Sequence, residues 1–155
     1  MKTKLFIDTN VMLDLLGERI PFYDSIAKIA TLAEKGHVTM VVSALSYSTV
    51  SYFLTKFENS EIAKDKLRKF KIISETCSLD ELIIEKGLNS NFSDFEDSLQ
   101  YFSALKSECS ILITRNGKDF KRARRTIDCI GRRSDTGNEH DKVCQEFRSD
   151  KNAAG

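Results

Sequence analysis

The sequence predicts a three-layer α/β/α domain, a parallel sheet of four to five strands between two layers of helices. Short β-branched or apolar runs alternate with segments of helical periodicity over most of the 155 residues, and such alternation builds a parallel sheet covered on both faces. Glycine and capping residues fall between the runs, where strands must give way to helices. A hydrophobic content of 41% is enough for one core at this length.

Lys4-Leu5-Phe6-Ile7-Asp8 reads as a buried first strand. Thr9 or Asn10 then caps a short helix through Val11, Leu13, Leu15 and Leu16, ended by Gly17. Phe22, Ile26, Ile29 and Ala30 recur at helical spacing over residues 22–35, and Gly36 suits the position just past that helix. Val38-Thr39-Met40-Val41-Val42 is the second strand. Ser43 caps a helix over 43–57 with Leu45, Val50, Phe53, Leu54 and Phe57 on its apolar face. Another helix is expected over 60–70, then a third strand at Lys71-Ile72-Ile73-Ser74.

Ser78-Leu79-Asp80-Glu81 and Ser93-Asp94-Phe95-Glu96 both have the capping-box pattern and open two further helices. Ser110 to Thr114 is the fourth strand, with the loop Arg115-Asn116-Gly117-Lys118-Asp119-Phe120 after it. Thr126-Ile127-Asp128-Cys129-Ile130 fits a short edge strand. Beyond it apolar residues become scarce and arginine replaces lysine, so we divide the chain into a domain over 1–123 and a loosely ordered tail over 124–155.

The formal net charge of +1 excludes a global basic field for holding nucleic acid. RNA binding would need a local patch or a bridging metal. The opening apolar run is too short for a signal peptide or membrane span, which predicts a cytoplasmic protein with no membrane attachment. Cys77, Cys109, Cys129 and Cys144 show no C-x-x-C spacing, so they read as small buried side chains.

Three acidic positions bear on chemistry. Asp8 closes an apolar strand, where a charge is costly unless it is solvated, paired or bound to metal. Its structural alternative is an ordinary cap. Asp94 and Asp97 lie three apart on one helix and share a face, while Glu96 is expected to point elsewhere and cap with Ser93. Acids in a first turn also simply offset the helix dipole. Asn116 and Asp119 lie in a loop that is otherwise a plain Asn-Gly turn. The βα order brings all three to the carboxyl edge of the sheet, where ligands of open parallel sheets bind. Clustered carboxylates there repel one another. Mg²⁺ or Mn²⁺ relieves that repulsion with oxygen ligands, and such an ion suits phosphodiester hydrolysis.

The segments Phe6-Ile7-Asp8-Thr9-Asn10-Val11-Met12-Leu13-Asp14, Val41-Val42-Ser43-Ala44-Leu45, Asp94-Phe95-Glu96-Asp97-Ser98-Leu99-Gln100 and Ile113 to Phe120 resemble, in order and spacing, the PIN-domain family. The resemblance covers residues 4–120. It implies a metal-dependent ribonuclease, of which many bacterial examples are VapC-like toxins paired with an antitoxin, commonly as homodimers. By that resemblance Asp8, Asp97 and Asp119 are the catalytic acids, Asp94 supports them, and Asn116 joins the metal ligands where many members have aspartate. Asn10, Thr114, Arg115 and Lys118 are candidate RNA contacts; Arg115 suits phosphate, or is simply solvated. The basic run Lys118, Lys121, Arg122, Arg124 and Arg125 could guide RNA or be a solvated surface.

Two departures stand out. The family carries a glutamate in the helix after strand two, and here the matching place falls near Thr49, with no acid in Ser46-Tyr47-Ser48-Thr49-Val50. The tail also lacks the family's ending and suits a foreign or frame-shifted extension. A degenerate PIN domain that binds RNA or a protein partner without cutting is therefore the competing expectation. A phosphotransferase with Asp8 as nucleophile ranks below both, because Asn10 stands where such sites carry a second acid.

Overall fold

A computed structural model describes residues 2–115 and the backbone of residues 128–131. Its elements run β1 (Thr3–Ile7), α1 (Thr9–Leu16), α2 (Tyr23–Glu34), β2 (Val38–Ser43), α3 (Ala44–Leu54), α4 (Ser60–Ile72), β3 (Ser74–Cys77), α5 (Glu81–Leu88), α6 (Phe95–Lys106), β4 (Ile111–Thr114) and β5 (Asp128–Gly131). The strands form one sheet in the order β3-β2-β1-β4-β5, every neighbouring pair parallel. The expected edge strand is thus β5, paired to β4 with Ile113 opposite Ile130.

Alternation along the strands builds two cores. Leu5 and Ile7 of β1, Met40 and Val42 of β2 and Ile113 of β4 face one side, packed on α1 to α4 through Met12, Ile29, Val50 and Phe70. Phe6, Val41 and Leu112 face the other, packed on Ile83 of α5 and Leu99 and Ala104 of α6. Each fully buried side chain of this size contributes about 1.5–3 kcal/mol. Gly87 lets α5 and α6 approach closely: a Cβ there would lie 2.8 Å from Ser98 Oγ and 3.1 Å from Leu99 Cδ2.

Capping chemistry sets most helix starts. Ser43 Oγ accepts from Leu45 N–H at 3.2 Å, and Asn59 Oδ1 accepts from Ile62 N–H at 2.9 Å. Gly36, at φ 75°, turns the chain out of α2 in a conformation that favours glycine.

Three sequence expectations fail here. The third strand is Ser74–Cys77, not residues 71–74, because α4 continues through Ile72. Phe70 anchors that last turn in the core while Ile72 stays 83% exposed, so packing overrides the β-propensity of the Ile-Ile pair. The caps of α5 and α6 are Asp80 and Asp94, each later than the expected serine. Phe53 and Phe57 do not belong to the apolar face of α3; Tyr52, Phe53 and Phe57 are exposed, with Lys56 Nζ 4.4 Å from the Tyr52 ring centroid, while Tyr47 packs edge-on to Phe70. Cys77 and Cys109 are buried and free, and burial pushes the Cys109 thiol up to about 12. The side chain of Cys129, and all of Cys144, lie outside the described residues.

Candidate metal and RNA site

The chain passes from β1 to β2 on one side and later returns to place β4 on the other. The carboxyl ends of β1 and β4 therefore flank the switch point of the sheet, the usual place for a ligand crevice. Asp8 stands there, directly after β1. Its N–H donates to Ile113 O at 3.0 Å, stitching it to β4.

Asp8 occupies the N-cap position of α1, and its carbonyl accepts from Val11 and Met12 N–H. Its side chain makes no capping bond. Instead Thr114 Oγ1 donates to Asp8 Oδ2 at 2.8 Å, and Asp8 is only 4% exposed. The expected cap at Thr9 or Asn10 is thus replaced by the backbone of Asp8. Burial pushes the Asp8 carboxyl above the ordinary carboxylate range. The Thr114 hydroxyl and the Thr9 N–H pull it back down; the Glu96 charge adds to the rise and the Arg115 charge opposes it. A desolvated carboxylate beside another acid gains much from a nearby cation.

Helix α6 packs on the other face of the sheet and carries Asp94, Glu96 and Asp97 in its cap and first turn. Asp94 is exposed, and its Oδ1 accepts from Asp97 N–H at 3.0 Å as the helix cap. Asp97 is half-buried. Glu96 was expected to point away and cap with Ser93; Asp94 takes that cap, and the Glu96 charge reaches Asp8.

Behind Asp8 lies a buried polar cluster that sequence reasoning missed. Thr9 Oγ1 and Ser46 Oγ are 2.8 Å apart, and Gln100 Nε2 donates to Thr9 Oγ1 at 2.9 Å with a longer contact to Ser46 Oγ at 3.4 Å. The cluster ties α1, α3 and α6 together beside the catalytic-acid candidate. The available signal was polar residues on otherwise apolar helix faces, Ser46 before Val50 and Gln100 after Leu99. Thr49 is half-buried on α3, so no carboxylate enters from that helix at this place.

Arg115 follows β4 and is not simply solvated. Its Nε lies 3.0 Å from Asp14 Oδ2, and its Cζ sits 4.1 Å above the Phe22 ring centroid. Asn10 is exposed on the first turn of α1. Asn116, Lys118, Asp119 and the basic run after them lie outside the described residues. Among the described residues, no group of three or more His, Cys, Asp or Glu side chains is close enough to hold a metal ion. In chemistry, Asp8, Asp94, Glu96 and Asp97 all carry hard oxygen donors of the kind Mg²⁺ and Mn²⁺ take.

A family model described as the PIN domain matches residues 4–118. The chain belongs to the PIN-domain family. Ribonuclease VapC1 of Aquifex aeolicus (strain VF5) is 27% identical over 122 residues, covering 76% of this chain and 83% of that protein. Among solved structures, VapBC2 from Rickettsia felis bound to a promoter DNA fragment matches with a TM-score of 0.61 at 17% identity, covering 83% of this chain and 98% of that one. A toxin–antitoxin complex from Klebsiella pneumoniae matches at 0.57 and 20% identity, covering 76% and 90%. Mycobacterium tuberculosis VapC20, described as a Sarcin-Ricin loop cleaving toxin, matches at 0.55 and 10% identity, covering 70% and 86%. At these identities the structural likeness establishes the PIN fold, and the sequence family agrees with it.

Proposed function

We propose that this PIN domain is a divalent-metal-dependent endoribonuclease, acting as the toxin of a toxin–antitoxin pair. The observation that carries this reading is Asp8: a buried carboxylate at the switch point of the sheet, bonded to the Thr114 hydroxyl, with its pKa raised by burial and the Glu96 charge of helix α6 adding to the rise. A cation bound by Asp8, Asp94 and Asp97, with Asn116 and Asp119 from the loop after β4, would polarise the phosphodiester and activate water. Thr114 holds the Asp8 carboxylate in place for that ion. The relatives, a ribonuclease, a Sarcin-Ricin loop cleaving toxin and a toxin–antitoxin complex, support the substrate and the partner. A homodimer acting in the cytoplasm belongs to the same reading; no helix among the described residues is long and apolar enough to cross a membrane.

A second reading has its own support. Thr49 contributes no carboxylate, and a PIN domain short of one acid would hold RNA or a protein partner without cutting. The deciding experiment is incubation of a mixed structured and single-stranded RNA pool with Mn²⁺, Mg²⁺ or EDTA, beside the Asp8→Asn protein. Cleavage that needs metal and disappears in the variant supports the nuclease. A folded protein that cuts nothing in any metal overturns it in favour of the binding module.

A further inference from the structure

Asp14 is an acid that the proposed reaction does not use. It lies on the last turns of α1 at 1% exposure, yet it faces two arginines: Arg19 Nε is 3.2 Å from Oδ1 and Arg115 Nε is 3.0 Å from Oδ2. The loop is bent to allow this. Gly17 N–H donates to Leu13 O, Glu18 adopts φ 49°, and Arg19 N–H returns to Asp14 O at 3.0 Å. A left-handed glutamate is a strained choice that its surroundings must hold. The same loop delivers Phe22 beneath the Arg115 guanidinium.

We propose that Asp14 and Phe22 are positioning residues that hold the Arg115 guanidinium at the carboxyl edge of the sheet as the phosphate-binding group of the RNA site. This deepens the ribonuclease reading and rests on it. Arg115 immediately follows Thr114, whose hydroxyl is bonded to Asp8, so the guanidinium is anchored one residue from the reacting edge. Its charge is felt at Asp8. The Asp14 contact runs through Nε and is an ion pair rather than an aligned hydrogen bond. Among the described residues, no other hydrogen-bond or ion-pair partner meets the terminal nitrogens, which are the part of the fork that grips phosphate.

The geometry separates this role from a plain structural clamp. The one Asp14 carboxylate is shared between the Arg19 and Arg115 guanidinium groups. A clamp between α1 and the end of β4 would need a single pair, and a buried pair is a weak source of stability. A planar cation stacked on an aromatic ring and fixed from one edge is instead pre-organised for a bidentate anion.

The test is anisotropy titration of a fluorescein-labelled 12-nucleotide single-stranded RNA with the full chain, in EDTA so that nothing is cut. Asp14→Asn makes the protein more positive, so a simple field effect tightens RNA binding. Positioning predicts the opposite, a loss of about three- to tenfold, with the slope of log affinity against log salt reduced by about 0.7, one phosphate contact. Arg115→Gln should give the same loss, and the double variant no more than either, as expected for coupled residues. Phe22→Leu, which leaves both ion pairs, should weaken binding about two- to fivefold. Equal or tighter binding by a folded Asp14→Asn protein overturns the proposal. Should that variant fail to fold, unchanged binding by Phe22→Leu overturns it instead. A wild-type protein with no affinity for the RNA in EDTA overturns this inference, whereas the ribonuclease reading falls only if the same protein also cuts no RNA with Mn²⁺ or Mg²⁺.

Discussion

Asp8 and Asp94 are both aspartates at the N-cap position of a helix, and they use their carboxylates in opposite ways. Asp94 is exposed, and its Oδ1 accepts from Asp97 N–H, two groups that helix geometry alone would pair. Asp8 is buried, makes no side-chain cap bond, and receives the hydroxyl of Thr114 from the far strand. Capping propensity accounts fully for Asp94 and leaves Asp8 without a local reason to be there. Helix-starting acids are common, so residue type and position do not distinguish a structural acid from a reactive one. What distinguishes them is where the carboxylate goes after its local obligations are met.

The largest expected effect tests that contrast directly. Asparagine caps as well as aspartate, so a merely capping Asp8 would tolerate Asp8→Asn. We expect metal-dependent RNA cleavage to fall by about a hundredfold or more, the loss of several kcal/mol of charge stabilisation, measured as initial rates with Mn²⁺. Stability in EDTA should not fall, because a desolvated charge has been removed. Gly87→Ala comes next. The added methyl, 2.8 Å from Ser98 Oγ, should push α6 from α5 and lower stability by about 1–3 kcal/mol in urea unfolding. It leaves every acid in place, so a matching fall in cleavage would show that the α6 acids work only at their set distance from Asp8.

Asp94→Ala should cost about 1 kcal/mol of stability through the lost cap, while Asp94→Asn restores it. If cleavage follows charge rather than stability across this pair, Asp94 also serves the metal. The gentlest effect is a slope. The folded-state pKa of Asp8 lies above its ordinary value near 3.8, so the folded protein holds this proton more tightly than the unfolded chain. Asp8 therefore removes stability as pH rises from about 4 through its folded pKa. Urea midpoints of the metal-free protein against pH should show this decline, and Asp8→Asn should flatten it. Saturating Mn²⁺ should reverse it.

Much of the fold was legible because it depends on local periodicity. The runs Leu5-Phe6-Ile7 and Met40-Val41-Val42 fall in β1 and β2 as their composition predicts, and Asp8 falls at the carboxyl edge as the βα order requires. The misses arise where a distant partner decides. Ile72 and Ile73 read as strand until Phe70 fixes the last turn of α4 in the core. Ser93 and Asp94 are equally good caps by residue type, and the observed helix start selects the second. Thr9, Ser46 and Gln100 meet from three helices, with 54 and 91 positions separating Gln100 from its partners. No spacing rule links them. The pairing of Asp14 with Arg115 is hidden for the same reason.

The bond from Thr114 to Asp8 spans 106 positions. During synthesis β1 leaves the ribosome long before β4, and until β4 is laid beside it Asp8 has neither its hydroxyl partner nor the backbone oxygen of Ile113. Arg115 arrives later still. A half-made chain thus carries the acid without the partners that hold its carboxylate. On the proposed nuclease reading, latency during translation would follow from the strand order, with the site assembled only after β4 is made.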